Sequence, residues 1–337
     1  MGNIVVERIT ERSSKAGKRI VLPEADDVRV LQAARIVTDK HYAKVTLLGL
    51  EEDIARLAKQ NNVDLSGVEI VNQFTASNRD KYVDILHERR KSKDMSLADA
   101  KKLLERSVYY GGMMVGEGEV DGMVCGSICP TRDTVRSALF GVGLAKGNKT
   151  VSACSIMNTI IPEVGVQGSL IFADTGVVPE PTVEQLADIA IAAAESCRAL
   201  LDVEPLVAML SFSTQGSAYS PAVQKVIDAT RLAQSRRPDL KIDGELQLDA
   251  AIIPSIASRK TKNSPVAGKA NTLVFPDLSS GNIGYKITER LGKATALGPL
   301  LMGLARPVND LSRGCSVNDI VEITAITVVQ GLSEAAK

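Results

Sequence analysis

Residues 19–49 read RIVLPEADDVRVLQAARIVTDKHYAKVTLLG, and the order of patterns within them decides the fold. RIVLP (19–23) is a short apolar run, the signature of a buried strand. DDVRVLQAARIVTDK follows, with Val28, Leu31, Ala34 and Ile36 close to helical spacing. AKVTLLG then reads as a second strand. EEDIARLAKQ gives a helix and VEIV a third strand. Two helices are expected around 78–92 and 96–106, then the glycine-rich YYGGMMVGEGEV, the strand DGMVCG and the helix TRDTVRSALFGVGL. This repeated strand–helix order predicts an α/β fold, a parallel sheet covered by helices on both faces.

The second half repeats the theme. TVSACSIMN, SLIFAD, PLVAMLSFS, KIDGELQ, NTLVFP and ATALGPLLMGL read as sheet material. TVEQLADIAIAAAESCRALL and AVQKVIDATRLAQSRR read as helices, and a last helix runs from about Val317 to Leu332. At 337 residues the chain exceeds one ordinary compact domain, so two lobes are expected.

Composition excludes several classes. Lys plus Arg equals Asp plus Glu, 40 against 40, which lacks the basic excess of a nucleic-acid binder. Aromatics are 3% with no Trp, too few for a base-stacking surface. No apolar run reaches the ~18 residues of a membrane span. The N-terminus lacks the apolar core of a secretory signal, and Val6 breaks the myristoylation pattern that Gly2 suggests. Cys125, Cys129, Cys154, Cys197 and Cys315 are odd in number, and only His41 and His87 accompany them. No metal constellation is expected, and reduced thiols in a cytoplasmic protein are the reading.

No phosphate loop of the GxxxxGK[ST] type occurs. GVGLAKG (141–147) has its third glycine one residue late for a dinucleotide fingerprint and ends a helix pattern. MLSFSTQGSA lacks the spacing of a nucleophile elbow. Three stretches remain. In LARPVNDLSRGCSVNDIV (304–321), Ser316 and Asp319 have the spacing of a helix cap. Ser312, Arg313 and Cys315 just upstream are not explained by capping. A helix N-terminus with an adjacent arginine suits an anion. In CGSICPTRDTVRSAL, Ser127 and Thr131 lie between a strand and a helix, and Arg132 and Arg136 share a face. Such a junction supports a phosphate site or an ordinary capped helix. HERRKSKD (87–94) is a basic run containing Arg89 and Arg90, a pattern that usually marks a solvated helix end.

LARPVNDLSRGCSVNDIV, GSICPTRDTVRSAL, FADTGVVPEPTVEQLADIA and FPDLSSGNIGYKITERL, collinear over nearly the whole chain, together resemble the phosphate acetyltransferase (phosphotransacetylase) family. The resemblance implies two α/β domains with an interdomain cleft, in a fold shared with isocitrate and isopropylmalate dehydrogenases. It implies a C-terminal helix that returns to the first domain, which then comprises 1–147 plus 304–337, with 148–303 as the second. It implies a homodimer and a reversible reaction in which acetyl-CoA and phosphate give acetyl phosphate and coenzyme A. The family's catalytic serine, arginine and aspartate fall on Ser312, Arg313 and Asp319, and its substrate-binding arginines on Arg136 and on Arg90, beside Arg89. GSICPTRDT departs from the commoner GAAHSTADT-like form, so the geometry at Ser127 and Thr131 stays open.

As chemistry, the implied reaction is attack of a thiol on an acyl phosphate. An aspartate near pKa ~3.9 cannot fully deprotonate a thiol near ~8.5. Asp319 therefore serves only by accepting the proton as the C–S bond forms, or with a pKa raised in a closed site. Arg313 would hold the phosphate, Ser312 the carbonyl oxygen, and Arg90 a phosphate of coenzyme A. No metal or other cofactor is expected. Phosphate butyryltransferase activity and a non-catalytic acetyl-CoA-binding regulatory module are the alternatives.

Overall fold

The computed structural model describes residues 4–334. The Gly2 position weighed above for acylation lies outside the described residues. In chain order the first elements are α1 (Ile4–Ala16), β1 (Arg19–Leu22), α2 (Val28–Asp39), β2 (Lys44–Leu48), α3 (Glu51–Gln60) and β3 (Glu69–Val71). Then come α4 (Arg79–Arg90), α5 (Leu97–Leu103), α6 (Ser107–Gly116), β4 (Gly122–Cys125) and α7 (Thr131–Gly141). A second series follows: β5 (Ser152–Asn158), β6 (Ser169–Ala173), α8 (Val183–Leu201), β7 (Leu206–Leu210), α9 (Pro221–Arg236) and β8 (Lys241–Leu246). It continues with α10 (Leu248–Ile252), α11 (Pro254–Lys260), β9 (Thr272–Val274), α12 (Leu278–Arg290) and β10 (Thr295–Met302). The chain ends in β11 (Val308–Asp310) and α13 (Val317–Glu334).

Two compact units result. One comprises residues 6–146 and 304–337; the other comprises 147–303 with the first residues of the chain. The first unit holds a five-stranded sheet in the order β11-β4-β1-β2-β3. Every neighbouring pair in it is parallel. The chain runs outward from β1 through β2 to β3, then returns to the other side of β1 for β4. Strand order therefore reverses between β1 and β4, the switch point at which open α/β sheets hold ligands.

The C-terminal segment completes this sheet. β11 adds beside β4, and α13 packs on α2, β1 and β4. The close approach requires Gly122, since a Cβ there would lie 2.7 Å from Thr327 Cγ2. Asn309 donates to Thr327 Oγ1 (2.8 Å) and Gln330 Oε1 (2.6 Å), locking the helix to the strand.

The glycine-rich stretch 107–116 is the helix α6, against the weak helix propensity of glycine. Its contact with α7 explains why. A Cβ on Gly141 would lie 2.3 Å from the Gly112 carbonyl, and one on Gly116 would lie 2.0 Å from the Gly141 oxygen. The helices cross backbone to backbone, and this fixes the position of α7.

The second unit departs from the parallel expectation. Its sheet runs β10-β5-β6-β9-β7-β8. The β10–β5 and β5–β6 pairs are antiparallel, and the remaining pairs are parallel. Residues 159–168 join β5 to β6 without a helix, so the chain reverses instead of crossing over. The core of this unit packs Phe172 against Phe275 at 5.3 Å between ring centroids, with Met157, Leu210, Leu246 and Leu273 around them. The sequence reading also passed over α1, α10, α11, α12 and β11.

Candidate active site

The site is built from the loops that leave the carboxyl ends of β1, β4 and β11, three adjacent strands. From the β1 end comes Glu24, buried. Its Oε2 accepts from Gly126 N (2.7 Å), Ser127 N (2.8 Å) and Ser127 Oγ (3.0 Å). Its Oε1 accepts from Ile128 N (3.1 Å) and Cys129 N (2.6 Å). Four consecutive amides thus converge on one carboxylate, the arrangement of an anion-binding nest. Gly126 is required at its start. Its φ is +111°, and a Cβ there would lie 2.5 Å from Asp310 Oδ1.

This corrects the expectation for the junction. The strand–loop–helix turn does bind an anion, but the anion is the protein's own Glu24. The Ser127 hydroxyl is buried and spent on Glu24, and Thr131 Oγ1 donates to Asp310 Oδ2 (2.6 Å). Thr134 Oγ1 donates to the other Asp310 oxygen (2.8 Å). Burial pushes the Asp310 carboxyl above its ordinary range, against those hydroxyl bonds. Ser127 and Thr131 therefore belong to the framework: the first shapes the β4 loop, and the second pins the start of α7 to the end of β11.

A residue the sequence reading missed joins all three loops. Arg29 pairs with Asp27 at 2.6 Å. It donates to the carbonyls of Arg313 (3.0 Å), Cys315 (2.7 Å) and Ser127 (3.1 Å). One guanidinium thus holds the β1, β4 and β11 loops in a single arrangement. The signal for it was its position. A cation in the first turn of α2 opposes the helix dipole, so it needs another reason to be there. Burial works against an ionised Asp27, but the bonds from Arg29 outweigh it and hold that carboxyl below its usual range.

The loop so held is 312–319. Ser312 Oγ accepts from Gly314 N (3.2 Å), and Ser312 O accepts from Cys315 N (2.9 Å), which makes a tight turn. Ser316 Oγ accepts from Asp319 N (3.2 Å), while Asp319 Oδ2 accepts from Ser316 N (2.7 Å). The capping reading is therefore realised. It occupies one carboxylate oxygen of Asp319 and leaves the other open on an exposed side chain. Ser312 keeps its own proton to donate. Arg313 is exposed and pairs with no carboxylate among the described residues. Cys315 is buried, and burial pushes its thiol up, which disfavours it as a nucleophile.

Arg90 and Arg136 meet at a different point of the same unit. Their guanidinium carbons lie 4.2 and 5.1 Å from the centroid of the Phe140 ring. Arg90 Nε is buried without a hydrogen-bond partner, and neither arginine pairs with a carboxylate among the described residues. Two unpaired cations on one ring make a receptor for an anion. Arg89 is different: it donates to the Gly141 carbonyl (2.5 Å) and pairs with Glu117 (2.9 Å), bracing α4 against α6 and α7. Arg136 lies five residues along α7 from the pinned Thr131, roughly 7.5 Å of helix.

Comparison with known proteins gives the family and the fold. Residues 4–328 match the family model for phosphate acetyl/butaryl transferase. The chain is 49% identical to the phosphate acetyltransferase of Acetivibrio thermocellus, over 96% of this chain and 97% of that one. It is similar to a phosphotransacetylase crystal structure from Streptococcus pyogenes, with a TM-score of 0.92 and 41% identity over 98% of this chain and 99% of that one. A Salmonella typhimurium protein described as a 4-hydroxythreonine-4-phosphate dehydrogenase shares the fold at a TM-score of 0.55 and 11% identity, covering 94% of this chain and 100% of that one.

Arg29→Ala leaves Asp27 and three carbonyls without their donor. The expected loss of stability is about 2–3 kcal/mol at neutral pH, measured by urea unfolding. Asp27 has a depressed pKa in the fold, so its contribution is present above the unfolded value of about 3.9 and is lost as pH falls through the lower folded value. The gap between wild type and variant should therefore narrow below about pH 4. A constant gap would assign the whole cost to the carbonyls.

Proposed function

The chain belongs to the phosphate acetyl/butaryl transferase family and is an acyltransferase that exchanges an acetyl group between coenzyme A and phosphate, and we propose that Ser312, Arg313 and Asp319 carry the transfer. The observation that supports this assignment most directly is the state of the 312–319 loop. It is fixed from behind by Arg29, while one Asp319 oxygen, the Ser312 proton and the Arg313 side chain have no hydrogen-bond or ion-pair partner among the described residues.

In the direction of thioester formation, the thiol sulfur of coenzyme A attacks the carbonyl carbon of acetyl phosphate. The C–S bond forms and the bond from carbon to the phosphate oxygen breaks. Asp319 takes the thiol proton as sulfur bonds to carbon, which avoids a free thiolate. Ser312 donates to the carbonyl oxygen as negative charge grows there, and Arg313 holds the phosphate as it leaves. The transfer is direct, in a ternary complex, with no acyl-enzyme and no metal or other cofactor. Arginine supplies the positive charge that phosphate requires.

Arg90 and Arg136 bind anionic parts of the substrates, with Arg90 taking a phosphate of coenzyme A. Their lack of carboxylate partners supports this role. The acetyl reaction is favoured over the butyryl one by the names of the similar proteins, and the unpaired catalytic set speaks against a silent regulatory module. The protein acts as a homodimer. In support, Ile283 and Ile287 on α12 and Leu291 just past its end form an exposed apolar stripe, at 57%, 53% and 79% exposure. Five unbridged cysteines fit a reducing cytoplasm.

Asp319→Asn keeps an acceptor for the Ser316 amide and so keeps the helix start. Turnover in the direction of thioester formation should fall by about 10²–10⁴ with unchanged thermal stability. Near-normal turnover would reduce Asp319 to a cap. Arg90→Ala should raise KM for coenzyme A more than it lowers kcat, and Arg89→Ala should lower stability instead. The reverse pattern would exchange the two roles.

A further inference from the structure

The loop between β4 and α7 carries two cysteines that the acyl transfer does not use. Cys125 is the last residue of β4 and is fully buried; Cys129 is half-buried. The four amides gathered by Glu24 belong to residues 126–129, so the chain curls around that carboxylate and brings residue 129 back over residue 125. Both sulfurs then reach the same hydroxyl. Cys125 Sγ lies 3.4 Å and Cys129 Sγ 3.5 Å from Thr134 Oγ1.

We propose that Cys125 and Cys129 are a redox-active pair that closes to a disulfide on exposure to a hydroperoxide. Cys129, the more accessible, reacts first. Its sulfur attacks the peroxide, the S–O bond forms, the O–O bond breaks, and the departing oxygen leaves as water with a proton from the thiol. Cys125 sulfur then attacks the sulfenic sulfur, the S–S bond forms, the S–O bond breaks, and a second water leaves with the other thiol proton. The pair loses two electrons, and hydrogen peroxide gains them. Its neighbour Cys129 and burial push the Cys125 thiol well up, so Cys129 and not Cys125 is the thiol that meets the peroxide first.

The consequence lies in what the loop supports. Thr134, the hydroxyl shared by both sulfurs, also holds Asp310, two residues before Ser312. The Ser127 carbonyl in the same loop accepts from Arg29, which fixes the catalytic turn. Contracting the loop therefore loosens the support of the site, and the enzyme slows while oxidised.

The test uses the full-length protein and hydrogen peroxide. Thiols are counted after denaturation, the linkage is mapped by peptide mass spectrometry, and turnover is followed in parallel. The expected result is loss of two of the five thiols, a peptide two hydrogens lighter linking Cys125 to Cys129, and turnover that falls with the thiol count and returns with dithiothreitol. Cys129→Ser should keep its remaining thiols and its turnover under the same treatment. Retention of all five thiols, a disulfide between other positions, or oxidation of Cys129 without a crosslink would each overturn the proposal. The mapping is done on wild type, so it stands even if the variant fails to fold.

Discussion

The guanidinium of Arg29 is the interaction on which the rest of this site depends. A parallel sheet delivers the ends of β1, β4 and β11 side by side, but strand ends alone do not fix the loops that leave them. Arg29 does so by donating to carbonyls of two of those loops while paired to Asp27 in the third. Glu24 performs the complementary task with a negative charge, collecting the amides of the β4 loop. The two charges act on opposite backbone poles: the cation gathers C=O groups and the anion gathers N–H groups. Each backbone group is satisfied in the process, as buried polar groups require.

The proposed catalytic set gains rigidity this way without using the atoms assigned to the transfer. Ser312 and Asp319 accept backbone hydrogen bonds through positions that leave a donor proton and a carboxylate oxygen open. Arg313 is fixed through its carbonyl, not its side chain. Such preorganisation is what an acyl transfer through a charged transition state requires, because donors already in place need no reorganisation during the reaction. The α6–α7 crossing extends the same logic to the arginines proposed to bind substrate, since bare glycine backbones let α7 present Arg136 and Phe140 beside Arg90.

Much of this was legible in the sequence, and the boundary follows the range of the interactions. The βαβ order and the parallel first sheet could be read from apolar runs and helical spacing, because those are local. The Ser316–Asp319 cap was legible for the same reason. Arg29 was not, because its partners lie more than 280 residues away at Arg313 and Cys315. Glu24 escaped for the same reason: it acts on residues 102 to 105 positions further along. The sequence left the Gly126–Thr131 turn open between an anion site and a capped helix, and did not show that the chain itself supplies an anion there. The mixed second sheet was missed because strand periodicity carries no pairing direction. The helix α6 was missed because glycine disfavours helices until a close partner rewards it.

In the proposed mechanism, the fixed 312–319 loop transfers the acetyl group directly between two bound substrates. The most direct test is exchange of labelled inorganic phosphate into acetyl phosphate, with coenzyme A withheld. Direct transfer predicts no exchange under these conditions and prompt exchange once coenzyme A is added. Exchange without coenzyme A would mean that the enzyme holds the acetyl group covalently, and would contradict the account.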